Sequence, residues 1–151
     1  MKRSPTSASI ENRYFAQGVH RCNRFRRQLI MLRIIIADDH VHIRKGIVQL
    51  LQEEFDDLYI EEAGNGVELF DKVTVGSFDL VISDMVMPGG NGLEALKKIK
   101  KEKKELPVII VSTYPAEQYK TRVMEAGADD FISKDVFSTQ LIPAIHRILK
   151  T

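Results

Sequence analysis

The sequence predicts a single doubly wound α/β domain: a five-stranded parallel sheet in the order 2-1-3-4-5, covered by five helices. Three observations predict it. Five short apolar runs recur along the chain, each too short for a helix and suited to a strand buried on both faces. Segments with helical spacing alternate with them, and that alternation calls for parallel strands joined by crossover helices. Each crossover is right-handed, which leaves 2-1-3-4-5 as the economical order for five units of this size.

The first run is LRIIIA (32–37), followed by a segment in which Ile43, Ile47, Leu50 and Leu51 share a helical face. The second is LYIEEA (58–63), followed by a shorter helical segment over 67–75. FDLVIS (78–83) precedes the face formed by Leu93, Leu96 and Ile99, and PVIIVS (107–112) precedes that of Tyr119, Val123 and Ala126. DDFIS (129–133) is the last strand, and Leu141, Ile145, Ile148 and Leu149 define the last helix. Pro143 removes an amide donor there and crowds the preceding turn, so this helix is expected to start late or bend.

The 151 residues are enough for one well-cored domain and not comfortably for two. A net charge of +1 hides an uneven layout: residues 1–30 hold seven Lys or Arg against one acid, Glu11, which leaves the rest acidic. The mild acidity of the compact part argues against its gripping nucleic acid through a basic face. The basic start shows no periodicity and no secretory pattern. It is expected to be a disordered leader lying upstream of a domain over 31–151, with a transit peptide or a nucleic-acid-touching arm as the alternatives. The single Cys22 cannot form an internal disulfide, which fits a reducing cytoplasm, and no apolar run approaches the length of a membrane span.

In doubly wound sheets ligands bind beyond the carboxyl ends of the strands, so the residues at those ends decide the chemistry. The first strand ends in Asp38-Asp39, the third in Asp84, the fourth in Ser112-Thr113, and the fifth leads into Lys134. Carboxylates gathered without counter-charge repel one another, and a divalent cation resolves the conflict. Oxygen ligands completed by water suit Mg²⁺, with Mn²⁺ as a substitute. A lysine and a hydroxyl beside such a cation are what hold the peripheral oxygens of a phosphoryl group. Asp84, on the central strand before a tight turn, is the natural nucleophile, because an aspartate can form an acyl phosphate.

Together these residues resemble the receiver domains of bacterial two-component response regulators, which have a flavodoxin-like fold. The likeness is carried by IIIADDH, VISDMVMPGGNG, IIVST and AGADDFISKD, in order and at the family's spacing over about 32–150. It implies that Asp84 accepts a phosphoryl group from a histidine kinase. It implies that Asp39, Asp84 and the carbonyl of Val86 bind Mg²⁺ directly, with Asp38 acting through water. Ser112 and Lys134 would hold the phosphoryl oxygens, and Phe131 would be the aromatic switch. Phosphorylation would then alter the face around the fourth helix, fifth strand and fifth helix, where an output domain, a downstream protein or a second copy would dock. On this reading the domain binds neither membrane nor nucleic acid directly, and it is no enzyme beyond its own phosphorylation and dephosphorylation.

SKD, STYPAEQY and DDH point to the LuxR-type regulators, whose output is a DNA-binding helix-turn-helix. Asp135 stands where most receivers have a proline, and Thr113 is bulkier than the usual neighbour of the hydroxyl. The chain stops at Thr151, as expected of a cut-down receiver or a single-domain regulator. Val86 and Tyr114 flank the acceptor and are expected to hinder an attacking water. His40 and His42 are taken as structural or partner-facing, and Met85 and Met87 as packing beneath the site. Lys97, Lys98, Lys100, Lys101, Lys103 and Lys104 are expected to form a solvated helix face. A dehalogenase-type phosphatase would need two aspartates one residue apart on one loop, and a nucleotide-binding domain a glycine-rich loop after the first strand; neither is present. A receiver fold serving purely as an interaction module is the remaining rival.

Overall fold

In the computed structural model, residues 31–88 and 92–150 are described, and the leader expected over 1–30 lies outside them. The strands are β1 (Leu32–Ala37), β2 (Leu58–Ala63), β3 (Leu80–Ser83), β4 (Val108–Ser112) and β5 (Asp130–Ser133). Between and after them run α1 (Val41–Glu54), α2 (Gly66–Val75), α3 (Gly92–Glu102), α4 (Ala116–Glu125) and α5 (Phe137–Leu149). The sheet has the order β2-β1-β3-β4-β5 with every pairing parallel.

The period-two alternation of the strands divides the core into two layers. Ile35, Ala37, Val81, Val108 and Ile110 face one side, where Leu69 and Val73 of α2, Leu96 and Ile99 of α3 and Val123 of α4 cover them. Ile34, Ile36, Leu80, Ile82, Ile109 and Val111 face the other, beneath Ile47 and Leu51 of α1 and Leu141 and Ile145 of α5. β3 is buried along its whole length, as a strand with a neighbour on each edge and helices on both faces must be. No helix among the described residues is long and apolar enough to cross a membrane.

Three expectations change. Val48 takes a place in the packed layer of α1 beside Ile43, while Leu50 is only half-buried. α5 runs through Pro143 from a start six residues earlier. The ring lies on the exposed side of the helix, where water can take the carbonyl that loses its partner. The lysine-rich α3 is not uniformly solvated. Lys100 Nζ donates to the carbonyl of Leu106 (2.6 Å) and to Asp129 (3.1 Å). Lys103 Nζ donates to the carbonyls of Val73 (2.7 Å) and Gly76 (2.8 Å), satisfying acceptors at the C-terminal end of α2. Lys97, Lys98, Lys101 and Lys104 are exposed as expected. Gly127, at φ 111°, turns the chain out of α4 in the left-handed region, where any β-carbon would also strike the Lys100 side chain.

Candidate functional site

Backbone hydrogen bonds carry the ladder one residue past the strands and thereby aim the functional side chains. The Asp84 amide donates to the Ala37 carbonyl (2.8 Å), that of Asp38 to Ala63 (3.2 Å), and that of Lys134 to Ser112 (2.8 Å). Asp38, Asp84 and Lys134 are consequently pinned at one edge of the sheet although none lies within a strand. All three are buried, at 1%, 5% and 7% exposure.

Lys134 joins the other two. Its Nζ lies 2.8 Å from Asp38 Oδ2 and 3.0 Å from Asp84 Oδ2. The second oxygen of Asp84 accepts the Met85 amide at 2.7 Å and faces that of Val86 at 3.5 Å. Asp39 stands half-exposed beside this pair. Candidate ligand atoms of Asp38, Asp39, His40 and Asp84 all fall within 4.8 Å of one another. Burial pushes the Asp84 carboxyl above the ordinary aspartate value; the Lys134 hydrogen bond opposes this, and the Asp38 charge adds to it. Burial alone would lower the Lys134 ammonium, but its bonds to Asp38 and Asp84 outweigh that and raise it. Three carboxylates thus gather at this edge while only Asp38 and Asp84 share the ammonium, and a hard divalent cation fits the oxygen donors that remain.

The turn that presents Asp84 depends on Gly92. Its amide donates to Met85 at 2.7 Å, and a β-carbon there would sit 1.9 Å from the Asp84 carbonyl oxygen. Only glycine permits that approach. Met85 and Met87 are buried in the core below, as expected.

Ser112 is buried at the end of β4, where its Oγ accepts the Tyr114 amide at 3.0 Å. Phe131 is buried in the same cluster as Met85 and Met87. Val86 is exposed, and the Tyr114 ring lies 4.9 Å from that of Tyr119 on α4. The structure thus brings Asp38, Asp39, Asp84 and Lys134 directly together and sets Ser112 and Phe131 on the two strands alongside. Thr113, beside Ser112, is exposed.

Two residues enter the site that the sequence did not single out for it. His40, set aside as structural or partner-facing, has its Nδ1 3.1 Å from Asp38 Oδ1 and 3.3 Å from Lys134 Nζ. Its position directly after the acidic pair was the available signal. Arg44, one turn into α1, donates to the Asp38 carbonyl and, at 2.6 Å, to Glu62 on β2. Nothing in the spacing marks it, because Glu62 is 18 residues away.

A family model described as the response regulator receiver domain matches residues 34–146. The chain is 33% identical over 120 residues to the oxygen regulatory protein NreC of Staphylococcus carnosus, across 79% of this chain and 55% of that protein. A DNA-binding response regulator of the LuxR family from Staphylococcus aureus is similar in structure, with a TM-score of 0.71 and 28% identity over 78% of this chain and 98% of that one. The response regulator TrrA of Thermotoga maritima, solved in complex with Mg²⁺ and a beryllofluoride, has a TM-score of 0.70 and 34% identity over 78% of this chain and 99% of that one. This chain spans about half the length of the curated relatives it matches. By sheet order and by sequence alike, the chain belongs to the response regulator receiver domains, the phosphorylation-dependent signalling module of two-component systems.

Proposed function

We propose that Asp84 is the phosphoacceptor of this receiver. The observation that carries the reading is the buried Lys134 ammonium shared between Asp84 and Asp38. An Asp84 oxygen attacks the phosphorus of a phosphohistidine on a sensor kinase. The new O–P bond forms as the P–N bond breaks, and the imidazole leaves with the electron pair. Lys134 and the Ser112 hydroxyl hold peripheral oxygens as charge shifts between donor and acceptor. Asp39 and Asp84, with the Val86 carbonyl, would hold Mg²⁺, with Asp38 assisting through water, and the ion would supply charge neutralisation for the transferring group. Dephosphorylation is the attack of water on the same phosphorus, and the domain catalyses nothing else.

The phosphoryl group brings additional negative charge and strong acceptor oxygens to a buried site. Ser112 is drawn toward them, Phe131 turns into the space released, and the surface formed by α4, β5 and α5 changes its affinity for a partner. That partner is an output domain, a downstream protein or a second copy of the chain. The relatives make the receiver of a cytoplasmic DNA-binding regulator the favoured setting.

Intact-protein mass spectrometry after acetyl phosphate and Mg²⁺ tests the acceptor. The wild type should gain one phosphoryl group that is lost in base and absent with EDTA, and Asp84→Asn should gain none. Equal labelling of both proteins would refute the assignment. No labelling of either would favour an interaction module that is never phosphorylated.

A further inference from the structure

The phosphoryl chemistry leaves His40 unused. It is the N-cap residue of α1, yet its side chain makes no capping bond. The ring instead turns back over the acidic pair, with Nδ1 3.1 Å from Asp38 Oδ1 and 3.3 Å from Asp39 Oδ1. The His40 amide donates to Asp38 at 2.7 Å, so backbone and ring are held to the same carboxylate. The ring Nδ1 is aimed into the cluster, and a ring nitrogen of a neutral imidazole is a metal ligand.

A positive charge already sits among these donors. Lys134 Nζ faces Asp38 Oδ2 at 2.8 Å, Asp84 Oδ2 at 3.0 Å and His40 Nδ1 at 3.3 Å. Two carboxylates and an imidazole therefore converge on one cation. The donor atoms of Asp38, Asp39, His40 and Asp84 fit within 4.8 Å, close to the span of two metal–ligand bonds of about 2.1 Å each.

We propose that His40 makes this cluster a mixed nitrogen–oxygen site that takes a late first-row divalent cation, such as Co²⁺, in preference to Mg²⁺. Mg²⁺ is small, hard and satisfied by oxygen and water, so an imidazole adds little to its binding. Affinity for a nitrogen donor rises along the first-row series, and the same imidazole then selects the later metal. Such an ion would compete with Mg²⁺ beside the acceptor carboxylate. The inference rests on reading the cluster as the cation site of a receiver.

Calorimetric titration of the full chain with Co²⁺ and with Mg²⁺ tests it, using wild type, His40→Ala and His42→Ala, with the visible absorption of bound Co²⁺ as a second readout. The His40 side chain is 61% exposed, so its truncation leaves the core intact. Expected is a loss of about tenfold or more in Co²⁺ affinity in His40→Ala, with a change in the Co²⁺ spectrum as oxygen replaces nitrogen. Mg²⁺ binding should hold within about twofold, since it gains little from nitrogen, and His42→Ala should match wild type. Equal Co²⁺ affinity in wild type and His40→Ala would overturn the assignment of His40 alone, as would an equal loss for both metals. No binding of either metal to the wild type would overturn it together with the cation reading of the cluster.

Discussion

Asp84→Asn should make the metal-free domain more stable, although it breaks an ion pair. The Asp84–Lys134 contact at 3.0 Å is worth about 5.5 kcal/mol at an effective dielectric constant of about 20. Against it stand two terms that the charged carboxylate alone carries. Repulsion from Asp38, whose ligand atom lies within 4.8 Å, is about 3.5 kcal/mol on the same basis. Removing a carboxylate from water is unfavourable by several kcal/mol more. The sum favours the neutral side chain by on the order of 1–2 kcal/mol, and the raised Asp84 carboxyl has the same sign. Urea unfolding in EDTA should therefore show a higher midpoint for the variant, and melting should rise by about 3–6 °C per kcal/mol. Mg²⁺ should reverse the order, because a hundredfold excess over its dissociation constant adds about 2.7 kcal/mol to whichever protein binds it. A variant less stable than wild type in EDTA would refute the reasoning.

The same group sets a pH dependence. Its folded-state value is raised, so its contribution to stability is complete below the ordinary aspartate value of 3.8 and is lost as pH rises through the higher folded one. The advantage of Asp84→Asn in EDTA should grow across that interval and then level off; an advantage unchanged by pH would contradict it. Gly92→Ala, which would place a β-carbon 1.9 Å from the Asp84 carbonyl oxygen, should slow acetyl-phosphate labelling about tenfold or more; labelling at the wild-type rate would show that the turn relaxes freely. Lys103→Met keeps the apolar stem and removes the donor to Val73 and Gly76. It should cost about 1–3 kcal/mol in urea unfolding, against about 0.5 kcal/mol or less for the exposed Lys101→Met. Val86→Asn with Tyr114→Glu should shorten the acyl-phosphate lifetime several-fold, since polar side chains admit and orient water; unchanged decay after kinase removal would argue against any shielding by the pair.

The strands could be read because they are buried on both faces: Ile34 to Ile36, Leu80 to Ile82 and Val108 to Val111 are continuous apolar runs, and burial is what such runs record. Asp38, Asp84 and Lys134 could be found because a buried strand ending in charge is conspicuous, and a doubly wound sheet brings those ends together. What escaped the sequence depends on distance in space. Lys103 looks solvated until the end of α2 arrives beside it, 27 residues earlier in the chain. Pro143 looks like a helix start because propensity knows nothing of which side faces water. The chain neighbours of His40 show its nearness to the acidic pair but not the approach of its ring to Lys134, 94 residues on.

β3 has a hydrogen-bonded neighbour on each edge and is sealed on both faces, whereas β5 is an outer strand held by β4 alone. Mechanically, the acceptor stands on the stiffest beam of the sheet, and Lys134 and Phe131 are mounted on one of its two free margins. The Lys134–Asp84 contact thus ties the inner strand that carries the acceptor to an outer strand on the far side of β4, by a side chain rather than by the ladder.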